Sequence, residues 1–86
     1  MSESPKELDG AKVLLWAWSG DKPFGLMGPF EIYGLAICTY DEKQFYRFSC
    51  DQNWEVQNDG IYDSIESAVN ELPDQYKEVT AHWNDK

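Results

Sequence analysis

Eighty-six residues, with 16 acidic against 7 basic side chains, carry a formal charge of −9, which repels nucleic-acid phosphate and anionic membrane surfaces and disfavours both as partners. A chain of this length is expected to form one domain over 1–86, to bury somewhat over ~60% of its unfolded surface, and to leave little room for a large catalytic cleft. Four Trp, five Tyr and four Phe supply the apolar area that lets so small a core hold without staples.

The first ten residues, MSESPKELDG, are polar and read as a frayed start. They lack the apolar core of a signal peptide, and no apolar run approaches the ~18–20 residues that span a bilayer. A soluble, cytoplasmic protein is the expectation.

Lys12–Trp18, KVLLWAW, is a continuous apolar run bounded by Gly10 and by Ser19-Gly20, and reads as a buried strand. Simple alternation puts Val13, Leu15 and Ala17 on one face and Leu14, Trp16 and Trp18 on the other, where the aromatics line a core or a pocket wall.

The next fourteen residues, Ser19–Ile32, hold three Gly and two Pro, so a long loop is expected there. Phe24, Leu26, Met27 and Phe30 are nevertheless too apolar for solvent. They must close over the sheet as a lid or present a contact surface. The glycines fit no phosphate-binding pattern, since Gly20, Gly25 and Gly28 match neither GxGxxG nor GxxxxGK[ST].

Tyr33–Tyr40 and Gln44–Cys50 are strand-forming runs separated by Asp41-Glu42-Lys43, the length of a hairpin turn. If residues 40 and 44 pair, Cys50 lies opposite Gly34 and Cys38 opposite Tyr46. The two cysteines are then on the order of 13 Å apart along the sheet, beyond disulfide reach, and two free thiols in a reducing compartment are expected.

Asp51-Gln52-Asn53 reads as a second turn, Trp54-Glu55-Val56 as a third strand of a meander, and Asn58-Asp59-Gly60 as the turn that closes it. A helix follows over Ser64–Leu72, capped by Asp63 or Ser64, with Ile65, Ala68, Val69 and Leu72 on one face and Pro73 as its stop. Glu78–Trp83 alternates Val79, Ala81 and Trp83 against Thr80 and His82 and reads as a last strand. The fold class is α+β: a mostly antiparallel sheet of about four to five strands with one short helix packed on one face.

Catalytic and metal chemistry find no support in these residues. His82, the single histidine, and the cysteines at 38 and 50 lack both the electropositive setting of a nucleophile and the paired spacing of a zinc site. Asp51 to Glu55 begins like a calcium loop, but Val56 stands where Gly is required and Tyr62 where Glu is required. No carboxylate pair is singled out for glycoside chemistry. No cofactor is implied, and a non-enzymatic role is the expectation.

Arg47, the single arginine, shares its strand face with Phe45 and Ser49. It serves either an ion pair at a helix end or across strands, or an anion-binding fork beside aromatics. Negative charge is concentrated late in the chain: residues 1–40 hold five acids and three bases, 41–86 eleven and four. This is either a solvated face or an acidic patch that docks a basic partner or mimics nucleic acid.

The elements YGLAIC (Tyr33–Cys38), FYRFSC (Phe45–Cys50), WE (Trp54-Glu55), ND (Asn58-Asp59) and PDQY (Pro73–Tyr76) resemble those of small bacterial single-domain proteins of uncharacterised function, some carried on mobile gene cassettes. The likeness spans roughly residues 12–84. It implies a bacterial, cytosolic accessory protein and brings no activity, cofactor or catalytic residue with it.

The functional expectation is an acidic module that binds a protein partner, or a second copy of itself, through the apolar loop or a sheet edge. The alternative is a small-molecule binder with an aromatic pocket under loop 19–32, against Trp16 and Trp18. The candidate binding residues are Trp16, Trp18, Phe24, Leu26, Met27, Phe30 and Arg47.

Overall fold

The run Gly34–Thr39, buried at every position, lies at the centre of the sheet. The computed structural model describes residues 3–86. Its strands are β1 (Glu7–Leu8), β2 (Ala11–Trp18), β3 (Gly25–Met27), β4 (Phe30–Ile32), β5 (Gly34–Thr39), β6 (Phe45–Cys50), β7 (Val56–Tyr62) and β8 (Asn84–Asp85). One helix, α1 (Ile65–Asn70), and a 3₁₀ turn, Asp74–Tyr76, complete the described elements.

The main sheet has the order β1-β2-β5-β6-β7, with β8 also on β2, and every pairing is antiparallel. It is curled as a half-barrel. Six strands exceed the four to five expected, because both end segments add short strands to the β2 edge. A separate two-stranded sheet, β3-β4, arises inside the segment expected to be loop. Met27 pairs with Phe30, so Gly28-Pro29 is a two-residue turn. Gly28 at φ 60° followed by a proline of fixed negative φ is the II′ pattern that matches strand twist.

The hairpin β5–β6 has the expected register, Gly34 opposite Cys50 and Cys38 opposite Tyr46. Its turn is held by Thr39, whose Oγ1 donates to the Gln44 carbonyl at 2.8 Å and accepts from the Glu42 amide at 2.7 Å.

The sheet has two differently built faces. One is lined by Val13, Ala36, Cys38, Phe48 and Cys50, with Leu8 and Ala11, and is covered by aromatic rings. The other packs Ala17 and Leu35 against Phe24, Ile32 and Tyr76, and α1 lies against β5, β6 and β7 on that side. A register shift between Val13 and Leu15 changes the expected face assignment. The bulge at Leu14 moves Val13 onto the face of Trp16 and Trp18, since one extra residue reverses the alternation.

Three further expected features differ in the structure. Residues 3–10 are attached, with Ser4 and Leu8 buried and the Val13 amide donating to the Lys6 carbonyl at 2.9 Å; residues 1 and 2 of the expected frayed start lie outside the described residues. Asn58-Asp59-Gly60 is strand, opposite Ser49, Phe48 and Arg47. Its turn-forming composition has another cause at Gly60, where a Cβ would sit 3.0 Å from the Tyr62 hydroxyl. Glu78–Trp83 is irregular, although Val79, Ala81 and Trp83 do pack on the core. Strand geometry requires a partner, and only Asn84–Asp85 reach the β2 edge.

The helix begins at Ser64, whose Oγ accepts from the Ser67 amide at 3.0 Å. Of the expected apolar face Ala68 is fully buried, Val69 and Leu72 are half-buried, and Ile65 is exposed. No helix among the described residues is long and apolar enough to cross a membrane.

Cys38 and Cys50 are free and wholly buried. Burial pushes the Cys38 thiol up to about 12 from its ordinary 9.0 and raises Cys50 as well. Unfolding releases both thiols to ordinary acidity, so between about pH 9 and 12 the unfolded chain binds fewer protons than the folded one and stability falls as pH rises. Denaturant melts should show this fall above pH 9 and a smaller one in Cys38→Ala. Thiol titration should find both groups unreactive in the folded protein and two reactive thiols after unfolding, with or without reductant.

Candidate functional site

The segment after β2 combines anchoring and exposure. Phe24, just before the β3–β4 hairpin, and Ile32, its last residue, are both fully buried, and the Phe24 amide donates to the Ile32 carbonyl at 2.7 Å. They fix the base of the hairpin to the core. Toward the tip the side chains emerge: Leu26 is 53% and Phe30 46% exposed, while Met27 is half-buried. The segment is thus a lid at its base and an open apolar surface at its tip.

Beside Leu26 lies a groove of about 440 Å³ between the hairpin and the 3₁₀ turn, lined by Pro23, Gly25, Leu26, Glu31, Asp74, Gln75 and Glu78. Leu26 and Glu31 are register partners and share one hairpin face. The groove is held closely. A Cβ on Gly25 would stand 1.7 Å from the Gln75 carbonyl oxygen, so the hairpin backbone rests directly on the turn. Tyr76 fixes that turn in place, its buried hydroxyl donating to Ser49 Oγ at 3.0 Å. Burial raises the Tyr76 phenol above its ordinary range, and the Ser49 bond opposes the shift.

A smaller cleft, about 210 Å³, separates the hairpin from the 51–55 turn and is lined by Phe30, Glu31, Tyr33, Asp51, Gln52 and Asn53. Asp51 organises its far wall: Oδ1 accepts from the Asn53 and Glu55 amides at 2.8 and 3.0 Å, and Oδ2 from Gln57 Nε2 at 3.2 Å. These contacts hold Trp54 at φ 61° and delay the strand to Val56, where sequence alternation had begun it at Trp54. They also engage both carboxylate oxygens of Asp51, the first of the residues that gave the segment its calcium-loop appearance.

The structure divides the expected site residues into separate groups. Trp16 and Trp18 face away from loop 19–32, across the sheet. They pack with Trp54 at centroid distances of 6.3 and 5.7 Å, and Trp18 also meets Tyr33 at 5.8 Å. The pocket expected between these tryptophans and the loop is therefore split by the sheet itself. The missed partner is Trp54, whose positive φ no alternation pattern could have shown. The indole N–H groups of Trp16 and Trp54 are buried without an acceptor.

Phe24 belongs to the core and cannot touch a partner. Arg47 is committed to the helix end: it is 7% exposed, its guanidinium donates to the Ala68 and Glu71 carbonyls at 2.9 and 3.0 Å, and it lies 4.8 Å from the centre of the Tyr62 ring. A cation at a helix C-terminus satisfies orphan carbonyls and opposes the macrodipole; both bonds come from Nη1, Nε has no partner among the described residues, and it is burial under the helix end that keeps the guanidinium from an anion in solvent. Leu26, Met27 and Phe30 remain at the hairpin tip, Met27 and Phe30 as register partners on one face and Leu26 with Glu31 on the other.

One further cavity gathers three lysines: Lys6, Lys12 and Lys86 border a space of about 510 Å³ with Glu7 and Val13. Glu7 and Glu3, the latter 2.9 Å from Lys86 Nζ, offset its charge. No cluster of metal-binding side chains occurs among the described residues. Comparison with protein-family models, curated proteins and solved structures finds no match for this chain.

Phe24→Ala should cost about 3–5 kcal/mol in denaturant melts, as a large buried ring leaves a cavity, whereas Phe30→Ala should cost less than about 1 kcal/mol. Arg47→Ala should lower stability by about 3 kcal/mol by orphaning two carbonyls, and Arg47→Lys should recover only part of this because an ammonium lacks the planar guanidinium that places one nitrogen between the Ala68 and Glu71 carbonyls and lies by the Tyr62 ring.

Proposed function

We propose that this chain is a non-enzymatic protein-binding module whose contact surface is the tip of the β3–β4 hairpin. The observation that carries the reading is the division of this hairpin into a buried base, Phe24 and Ile32, and an exposed tip, Leu26 and Phe30. Exposed apolar side chains on a pinned backbone lose little conformational freedom on binding, which favours their use as anchors. The sheet edges are less suited. Both end segments pad the β2 edge, and the open β7 edge carries the exposed Asp59 at its middle, a charge of the kind that discourages strand addition.

A second reading draws on the cleft beside Phe30 and Tyr33. An aromatic wall opposite Glu31, Gln52 and Asn53 suits a small polar ligand with one apolar face. Titration of a small-molecule fragment library, followed by amide shifts of Gln52 and Asn53, would separate it from the first.

The principal test is selection of binders from a random peptide display library on the wild-type protein and on the Leu26→Ser/Phe30→Ser double variant. Both substitutions replace exposed side chains, so the variant should keep its melting midpoint. Peptides enriched on the wild type should lose binding to the variant. Equal retention by the two proteins would move the contact surface away from the hairpin.

A further inference from the structure

The geometry points to a partner of a definite kind: the groove beside Leu26 receives a basic segment in which Lys or Arg stands next to an apolar residue. This inference rests on the hairpin being the contact surface and adds what that surface recognises. Three carboxylates, Glu31, Asp74 and Glu78, come from the hairpin, the 3₁₀ turn and the segment after it, and meet on one groove that has no cation in its lining. Among the described residues Asp74 is paired only with Lys77, at 3.3 Å in an exposed contact that is easily exchanged. Glu31 and Glu78 are in no ion pair among the described residues.

The floor between these carboxylates is apolar, formed by Pro23, Leu26 and the backbone of Gly25. A long cationic side chain fits both parts, its aliphatic stem on Leu26 and its head among the carboxylates. Because Gly25 rests against Gln75 and Tyr76 is held by Ser49, the floor and one rim are already in place before binding. A net charge of −9 steers a basic partner toward the molecule and repels a second copy. Each lysine a second copy could offer stands beside its own acids: Lys6, Lys12 and Lys86 with Glu7 and Glu3, Lys22 with Asp21, Lys43 with Asp41 and Glu42, and Lys77 with Asp74, so a different protein is the occupant.

The experiment titrates three short synthetic peptides into ¹⁵N-labelled protein at low salt: one alternating Arg and Leu, one with Glu for Arg, and one with Ser for Leu. The Arg-Leu peptide should shift the amides of Leu26, Glu31 and Glu78, and should bind at least about tenfold more tightly than either control. Binding should weaken by about tenfold in Leu26→Ser and in Glu31→Gln/Glu78→Gln, and should fall steeply with added salt. These variants alter exposed or rim positions, and their melting midpoints confirm that the fold is kept.

Absence of shifts at millimolar peptide, shifts spread over the acidic surface at large, or binding unaffected by the variants would each overturn the inference. Neutral or acidic peptides that are selected by display and released by Leu26→Ser/Phe30→Ser would overturn it while leaving the hairpin as the contact surface. Self-association of the protein that Leu26→Ser abolishes would assign the groove to a second copy and overturn the basic partner.

Discussion

Small side chains on one face of β5 set the terms for the rest of the sheet. Gly34, Ala36 and Cys38 present almost no bulk there, and the space above them is filled by rings from elsewhere: Trp16 from β2, Tyr46 and Phe48 from β6, and Trp54 from the turn that follows. The fit is close, since a single Cβ at Gly34 would come within 2.7 Å of the Trp54 ring. Trp54 in turn is placed by a left-handed backbone conformation that costs on the order of 1–3 kcal/mol and is held by the Asp51 carboxylate. Aromatic rings thus do on this face what a helix does in most α+β domains.

The opposite face is closed by several short pieces instead of one long element. Arg47 draws the end of α1 onto β6 and β7, with the Tyr62 ring beneath it and no side chain on Gly60 to intervene. Tyr76, Phe24 and Ile32 fill the remainder of that side. A helix of six residues is too short to be stable alone, so its order derives from this attachment. The hairpin tip with its groove, and Ile65 of α1, stay exposed once these pieces have met.

Much of this was legible in the residues. The register of β5 and β6 followed from a turn length, the free thiols from that register, the helix cap from Ser64, and the helix stop from Pro73. What was not legible depended on contacts distant in sequence. The bulge at Leu14 has no composition signal, and its carbonyl is used by the amide of Lys86, far along the chain. Gly60 looked like a turn residue because glycine serves close approach and turn formation alike. Glu78–Trp83 had the right alternation, but of this end segment only Asn84–Asp85 pair with β2. In the candidate site, the conflict between Gly and Pro content and apolar content correctly marked 19–32 as unusual. The division between Phe24, which is core, and Leu26, which is not, required knowing which face of the sheet the segment crosses.

The salt bridge between Glu3 and Lys86, together with the placement of β1 and β8 along one strand, brings the two ends of the described chain side by side. A polypeptide whose ends meet can be closed with a short linker and reopened at an exposed turn such as Asp41–Lys43, or spliced as a unit into a surface loop of another protein, without pulling its strands apart. Sequence joined before residue 3 or after residue 86 would leave from the same point, beside the β2 edge, so a tag at either end would crowd the same strip of surface.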